Sequence, residues 1–96
     1  MYGTIARMRI KPGKEEELAE LARRNSAATP GLVFYHTYRL DADPNEHLLV
    51  IAFESKAAYR VNAESPEQHE RYLSYKSLLE SEPEWHDGEI VSSFPE

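Results

Sequence analysis

Apolar and polar positions alternate along the chain with two different periods. A period of two residues, typical of strands, marks three segments, and a short continuous apolar run marks a fourth strand, whereas a helical pattern marks three segments. The strand-like segments are residues 2–11, 32–40, 47–53 and 85–94. The helix-like segments are residues 14–28, 56–64 and 66–80. The pattern predicts the order βαββαβ, with the second helical region broken into two pieces.

The second helical region contains a restart at Ser65-Pro66. A serine before a helix accepts a hydrogen bond from the first turn, and proline suits the first helical position, where the N–H needs no partner. Gln68, three residues after Ser65, completes a capping-box pattern. The sequence therefore predicts two separate helices and leaves Asn62 near an exposed helix end.

The third predicted strand is apolar on both faces from Leu48 to Phe53. A strand without a polar face needs cover on both sides. In a ferredoxin-like βαββαβ fold, however, the helices lie on one face of a four-stranded antiparallel sheet. We therefore predict an α+β fold of this type, in which something outside the chain covers the other face.

The composition limits the classes of protein to which the chain can belong. Its 96 residues suit a single domain, which we place at residues 1–96. The absence of cysteine excludes disulfides and thiolate metal sites. A formal charge of −6 disfavours nucleic-acid binding. No apolar run reaches the roughly 20 residues of a membrane span, and no signal-peptide pattern is present, so we expect a cytoplasmic protein without a membrane partner.

Four short motifs carry a resemblance to a known family. They are Lys11-Pro12-Gly13 after the first strand, Pro30-Gly31 before an aromatic strand, Phe53-Glu54, and Ser65-Pro66. In their order and spacing the chain resembles the antibiotic biosynthesis monooxygenase-like family of dimeric α/β barrels. The resemblance implies a homodimer, in which the sheet of a second copy covers the exposed sheet face and completes a barrel.

The resemblance also implies a reaction. Catalytic members of the family oxidise electron-rich phenols and quinols with molecular oxygen, without metal or flavin, in a pocket between the sheet and the helices. Such a pocket needs aromatic walls that exclude water and a polar group that helps to deprotonate a phenol. We predict a small cofactor-independent monooxygenase that acts on an aromatic, phenolic or quinol-type molecule.

Asn62 is the first candidate for a catalytic residue, because it falls where many members of the family have a histidine. Its amide can hydrogen-bond a substrate oxygen or an oxyanion. An amide cannot act as a general base near neutral pH, so this position departs from the family pattern. The alternative is a helix terminator, since asparagine tolerates the left-handed conformation.

The second candidate is His36, which lies between Phe34 and Tyr38 on one alternating face of the second strand. It is the best available proton acceptor near neutral pH. Phe34 and Tyr38 are predicted to contact the substrate. The same face could instead lie in the dimer interface, and the sequence leaves both interpretations open.

The remaining candidates lie on the last helix and the last strand. Tyr72 is predicted to be catalytic, and Trp85 and His69 are predicted to contact the substrate. Each has a simpler interpretation, which is a core residue for Tyr72, a solvated helix residue for His69 and a barrel cap for Trp85. We predict that Asn62, His36, Tyr72 and Trp85 border one cavity between the helices and the sheet.

Haem and metal chemistry fit the sequence poorly. Haem-degrading relatives have an asparagine in the first strand, where this chain has Thr4, Ala6 or Met8, and their histidine and tryptophan follow the reverse order of His69 and Trp85. The four histidines fall on separate elements without the helical spacing of paired metal ligands.

Two classes of function remain for a chain with these features. One is the monooxygenase, and the other is a non-catalytic dimeric barrel that binds a small ligand or has a structural or stress role. An aromatic-lined cavity that holds at least one unpaired polar side chain favours the enzyme. An interior filled by side chains favours the structural role.

Overall fold

The computed structural model describes residues 1–95, which form four strands and three helices. The strands are β1 (Tyr2–Arg9), β2 (Leu32–Arg39), β3 (Glu46–Phe53) and β4 (Glu84–Glu89), and the helices are α1 (Glu15–Ala27), α2 (Lys56–Ala63) and α3 (Pro66–Lys76). Neighbouring strands are antiparallel in the order β2-β3-β1-β4. The predicted α+β ferredoxin-like arrangement is confirmed, with its second helix divided into α2 and α3.

The strand register assigns the sheet residues to two faces, because residues directly opposite each other in antiparallel strands share a face. One row across the sheet consists of Tyr35, Ile51, Thr4 and Asp87. The next row consists of His36, Val50, Ile5 and His86. We call the face of the first row the inner face, since the helices cover it, and the face of the second row the outer face.

The core lies between the inner face and the helices. Its buried apolar cluster consists of Ala6, Met8, Ile10, Leu18, Leu49, Leu78 and Leu79. Leu18 comes from α1, whereas Leu78 and Leu79 follow α3, so both helical regions pack on the same side of the sheet. Each large apolar side chain buried in this way contributes roughly 1.5–3 kcal/mol.

Within residues 1–95, no helix or strand covers the outer face. Ile5 is 46% exposed there and Tyr38 is 58% exposed. Leu48 and Val50, on the same side of β3, are only half-buried. The second apolar side of β3 predicted from the sequence is therefore present, and the chain itself leaves it open.

The last strand is shorter than predicted. We expected a strand over residues 85–94, but β4 ends at Glu89, which lies opposite Tyr2, the first residue of β1. Ile90 N–H still donates to the carbonyl of Met1 at 3.0 Å. The β1–β4 ladder therefore ends where β1 itself ends.

The last helix is also shorter than predicted. We expected a helix over residues 66–80, but α3 ends at Lys76 and the chain turns inward. Leu78 and Leu79 then enter the core, where Leu79 forms a β-bridge with Ile10. Burial of these two leucines stabilises the chain more than a further helical turn would, so the helix ends before them. No helix among residues 1–95 combines the length and the hydropathy that a membrane crossing requires.

The helix restart at Ser65 is confirmed. Ser65 Oγ accepts a hydrogen bond from Gln68 N–H at 3.1 Å, and Pro66 occupies the start of α3. Only half of the capping box forms, however. The Ser65 N–H bonds the carbonyl of Asn62, and the Gln68 side chain turns toward Asn62 and Arg71. Local contacts of the Gln68 side chain with Asn62 and Arg71 thus replace the reciprocal bond of the motif.

Candidate functional site

A cavity of about 1100 Å³ lies between the inner face and the helices. The sheet contributes Thr4, Tyr35, Leu49, Ile51, Phe53, Trp85 and Asp87 to its wall. The helices contribute Leu18, Ala22, Asn25, Tyr59, Asn62, Arg71, Tyr72 and Tyr75. This volume is sufficient for a molecule of several fused rings, since pockets for small ligands range from about 300 to 1,000 Å³.

Tyr72 and Trp85 form an aromatic pair at the edge of the cavity. Their ring centroids are 6.4 Å apart and the rings are tilted by 47°. Trp85 lies opposite Ala6 in the β1–β4 ladder, on the inner face, and is 43% exposed. Ala6 leaves room beside the indole, while α3 brings Tyr72 from above. A flat ligand entering here would meet two aromatic surfaces.

Asn62, Gln68 and Arg71 form a polar cluster where α2 meets α3. Asn62 Nδ2 donates to Gln68 Oε1 at 3.3 Å. Arg71 Nη1 donates to Asn62 Oδ1 at 3.2 Å and to Gln68 Oε1 at 3.3 Å. Asn62 is half-buried, and no non-glycine residue among residues 1–95 has a positive φ. The left-handed helix terminator is therefore ruled out for Asn62, whose side chain instead makes specific contacts at the cavity wall.

Tyr59 and Asp87 form a second polar pair, which the sequence analysis missed. The Tyr59 hydroxyl donates to Asp87 Oδ1 at 2.8 Å. Burial, and then the neighbouring carboxylate of Asp87, raise the pKa of Tyr59 well above its ordinary value. The phenol therefore keeps its proton near neutral pH. One sequence signal was available, since Tyr59 precedes Asn62 by three residues and so shares its helix face.

Three polar side chains that line the cavity are buried without a hydrogen-bond partner among residues 1–95. The atoms concerned are Thr4 Oγ1, Asn25 Nδ2, and both ring nitrogens of His47. Burial of an unpaired polar group costs roughly 1–3 kcal/mol. The fold thus carries several unpaired polar groups around one cavity, a pattern more typical of a binding site than of a packed core.

The end of the cavity near β2 contains charged residues as well as His47. Glu15 Oε1 accepts a hydrogen bond from Arg39 Nη1 at 2.6 Å and lies 3.7 Å from His47 Nε2. The imidazole itself is 3% exposed. Glu15 is thus shared between a guanidinium and a ring that would join the ion pair only when protonated. His47 was not among the sequence candidates, because nothing local distinguishes it from a solvated strand residue.

The other predicted site residues do not all reach the cavity. His69 is exposed and borders it. Consecutive residues of β2, including His36 and Tyr38, also border the cavity, but alternation directs the side chains of Phe34, His36 and Tyr38 to the outer face. The rings of Phe34 and His36 lie there with centroids 5.2 Å apart.

The four residues that we predicted to meet, His36, Asn62, Tyr72 and Trp85, all border this cavity. The His36 imidazole, however, lies on the opposite side of the sheet from the other three side chains. Alternation by itself does not reveal which side of a strand the helices cover. For β2 that side is the one of Tyr35 and Thr37.

The arginines of β1 have acidic partners outside the cavity. Arg7 pairs with Glu46 at 3.1 Å, and Arg9 pairs with Asp43 at 2.7 Å and with Glu80 at 3.1 Å. The hydrogen bonds from these arginines lower the pKa values of Asp43 and Glu46. These charges are compensated within the chain. Within residues 1–95, no three histidine or carboxylate side chains form a cluster suited to a metal ion.

Residues 1–76 match the family model of the antibiotic biosynthesis monooxygenases. The chain belongs to this family. The matched segment includes β1 to α3, and therefore the helix restart and the Asn62 cluster. It ends before β4, so Trp85 and Asp87 lie outside the family match. A search of curated proteins gives no match to the chain.

Solved structures of the antibiotic biosynthesis monooxygenase family share the fold of this chain. SnoaB from Streptomyces nogalater, a cofactor-independent oxygenase, superimposes in a mutant form with a TM-score of 0.81 at 17% identity, over 99% of this chain and 97% of that one. A candidate antibiotic biosynthesis monooxygenase from Chloroflexus aurantiacus J-10-fl has a TM-score of 0.78 at 21% identity, over 96% and 94%. At these identities the similarity establishes the fold.

Proposed function

We propose that this chain is a cofactor-independent monooxygenase that oxidises a phenolic or quinol-type aromatic molecule with molecular oxygen. The observation that carries the proposal is the cavity itself. It combines aromatic walls, formed by residues such as Tyr72 and Trp85, with buried polar atoms that lack partners. Membership of the antibiotic biosynthesis monooxygenase family supports the same reaction class.

The reaction balances without a bound redox group. A phenol and one O₂ give a quinone and one water. One oxygen atom bonds to a ring carbon, which loses its hydrogen, and the other leaves as water together with the phenolic and ring hydrogens. The electrons come from the ring, whose phenolate form is the electron donor. The protein has to bind the ring, exclude water and assist removal of the phenolic proton.

Four residues of the chain take these roles in our proposal. Tyr72 and Trp85 form an aromatic wall against which the ring packs. Asn62 hydrogen-bonds a substrate oxygen, and so does the Tyr59 hydroxyl, which keeps its proton near neutral pH and can turn it from Asp87 toward a developing oxyanion.

His69 is the proton acceptor in this proposal. It borders the cavity and is exposed. The imidazole of His36 lies on the outer face, and the ring nitrogens of His47 are buried. A ring nitrogen of the imidazole can accept the phenolic proton, and because the side chain is exposed, His69 can release that proton to solvent.

Oxygen consumption tests the reaction. The chain would be mixed with a panel of naphthols and naphthalene diols, and uptake would be measured with an oxygen electrode in the presence of a metal chelator. We expect uptake with at least one compound and one labelled oxygen atom in the quinone. Asn62→Ala should lower the rate about 100-fold, the cost of losing an oxyanion donor. Val61→Ala, at a neighbouring position 71% exposed, should not.

The alternative is a barrel that binds a ligand without turning it over. A compound that raises the melting temperature and quenches Trp85 fluorescence without any oxygen uptake would establish that function and reject the monooxygenase. A cytoplasmic location stays a prediction.

We also propose that a second copy covers the outer face, as a homodimer. The support is the exposed apolar row through Ile5 and Val50, beside the aromatic side chains of Phe34 and Tyr38. In this arrangement His36 belongs to the interface. Val50→Asp should yield monomers in sedimentation velocity, because an unpaired buried carboxylate costs several kcal/mol. Val61→Asp, on the exposed surface of α2, should leave the association unchanged; a monomeric wild-type chain would reject the proposal.

A further inference from the structure

Arg71 differs from the other arginines of the chain. Four of them form ion pairs with carboxylates: Arg7, Arg9, Arg23 and Arg39. Arg24 and Arg60 have no carboxylate within ion-pair distance among residues 1–95, but both are exposed to solvent. Arg71 has no such carboxylate either, although it is half-buried and lines the cavity. It thus brings an uncompensated positive charge to a partly desolvated place.

The immediate partners of Arg71 orient its side chain without neutralising it. Its Nη1 donates to two amide oxygens, Asn62 Oδ1 at 3.2 Å and Gln68 Oε1 at 3.3 Å. Amide oxygens accept hydrogen bonds but carry no net charge. Among residues 1–95, Nε and Nη2 make no hydrogen bond. The guanidinium edge formed by these two nitrogens is the one that binds a carboxylate through two parallel hydrogen bonds.

Three carboxylates line the cavity, those of Glu15, Asp41 and Asp87, and none of them lies within ion-pair distance of Arg71. Glu15 is bound to Arg39, and Asp87 accepts from Tyr59. Since the chain as a whole carries a charge of −6, its overall field disfavours anions. A half-buried cation kept without a counterion in such a chain is therefore a specific local feature, suited to one anionic group of a ligand.

We propose that the aromatic substrate of this cavity carries a carboxylate and that Arg71 binds it. The inference rests on the proposed function of the cavity and adds the charge of the substrate. Arg71 and the aromatic pair of Tyr72 and Trp85 line the same cavity, so one ligand can contact both the guanidinium and the rings. A hydroxylated aromatic acid can place its ring on that pair while its carboxylate contacts Nε and Nη2. Asn62 then has two roles: it hydrogen-bonds a substrate oxygen, and its Oδ1 accepts a hydrogen bond from Arg71 Nη1 and so orients the guanidinium.

A matched pair of ligands tests the proposal. Hydroxynaphthoic acid and its methyl ester have the same ring and differ in the negative charge. Their dissociation constants can be measured near neutral pH by quenching of Trp85, which is the single tryptophan of the chain and borders the cavity. We expect the acid to bind about tenfold or more tightly than the ester, the range for charge-assisted hydrogen bonds.

Substitutions then assign the preference to one residue. Arg71→Gln should reduce the acid–ester ratio to about one and leave the affinity for the ester within about twofold. Arg71→Lys keeps the charge but loses the two-nitrogen edge, so we expect an intermediate ratio. Arg60→Gln removes an exposed arginine that does not border the cavity, and it should retain the wild-type ratio.

The outcomes separate this inference from the proposed function. Equal affinities for acid and ester in the wild-type chain would overturn the inference, and so would a preference that survives in Arg71→Gln. Oxygen uptake with neutral phenols alone would leave the monooxygenase standing and the inference rejected. Tight, Arg71-dependent binding of the acid without oxygen uptake would support the inference and reject the monooxygenase. If circular dichroism shows that Arg71→Gln does not fold, the acid–ester affinity ratios of the wild-type chain and of Arg71→Lys still test the inference.

Discussion

The hydroxyl of Tyr59 lies 2.8 Å from Oδ1 of Asp87, and this hydrogen bond joins α2 to β4 across one side of the cavity. The tyrosine ring is also packed edge-on against Tyr2 and Phe53, with centroid separations of 5.3 and 5.5 Å. Ionisation of the phenol would therefore place a negative charge in an aromatic environment and next to a carboxylate. Both effects raise the pKa of Tyr59, burial more than the carboxylate.

The first prediction concerns stability at alkaline pH. The folded chain keeps the Tyr59 proton at pH values where the unfolded chain, with a tyrosine pKa of about 10, has lost it. The unfolding free energy should therefore fall as the pH rises above about 10, and be unaffected by this group below that pH. In Tyr59→Phe the unfolding free energy should fall less steeply with pH, by a slope that corresponds to the release of one proton fewer on unfolding. Urea midpoints measured between about pH 8 and about pH 11 give this slope.

The control for this substitution is Val61→Ala, at a position of α2 that is 71% exposed and carries no ionisable group. It should leave the slope unchanged. Burial also raises the pKa of Tyr75, so some alkaline loss of stability should persist in Tyr59→Phe. Identical slopes for Tyr59→Phe and the wild-type chain would contradict the prediction.

The second prediction concerns Gly3 and Gly88, which lie opposite each other in the β1–β4 ladder. A Cβ atom on Gly3 would overlap the backbone carbonyl of Ile51, whereas a Cβ on Gly88 would meet open space. Gly3→Ala should lower the unfolding free energy by about 1–3 kcal/mol, since the backbone has to shift. Gly88→Ala should change it by less than about 0.5 kcal/mol. Urea denaturation of the two variants compares them directly, and equal stabilities would exclude the close approach.

The third prediction concerns the start of α3. Ser65 Oγ accepts from Gln68 N–H at 3.1 Å and donates to the carbonyl of Asn62 at 2.9 Å, so it closes the junction between α2 and α3. Ser65→Ala should cost about 1 kcal/mol in unfolding free energy. Pro66→Ala should cost much less, because alanine also suits the first helical turn. Ser81→Ala, at an exposed position outside the helices, serves as the control, and a loss as large there would contradict the capping role.

The fourth prediction concerns the buried imidazole of His47. Both ring nitrogens lack a hydrogen-bond partner among residues 1–95, so the side chain contributes a desolvation cost without a compensating bond. His47→Leu, of similar volume and without polar atoms, should raise the unfolding free energy by about 1 kcal/mol. The exposed His69→Leu should not. A clear loss of stability in His47→Leu would show that the imidazole is bonded in solution.

Much of the fold follows from local chemistry that the sequence contains. The helix restart is set by the Ser65 hydroxyl and the Pro66 ring, which act on residues within one turn. The alternation in β2 and the two-sided apolar character of β3 are likewise local patterns. They established the order of elements and the α+β class, because strand and helix periods differ regardless of what packs against them.

The predicted ends of β4 and α3 were wrong, because these boundaries depend on contacts with residues that are distant in the sequence. β4 ends at Glu89, opposite Tyr2 at the end of β1, and α3 ends early because Leu78 and Leu79 gain more by burial than by helical bonds. A strand or helix pattern cannot encode where its neighbour stops.

The candidate site likewise contains residues that local patterns predicted and one residue whose position depends on the tertiary structure. Asn62, Tyr72 and Trp85 were predictable from the helix break and the aromatic positions, and they border one cavity. The sequence left open on which side of the sheet His36 lies, because alternation defines two faces but does not say which one the helices cover.

By itself, the sequence of this protein determined the succession of strands and helices and the positions of the helix caps, because these depend on periodicity and on hydrogen bonds within a few residues. Only the tertiary structure decided which side of each strand forms the cavity and which polar groups meet there. Tyr59 and Asp87, 28 residues apart, become partners, while Arg71 meets no carboxylate among residues 1–95. Such pairings depend on the distances that folding creates, since hydrogen bonds and ion pairs act over a few ångströms of space and not along the chain.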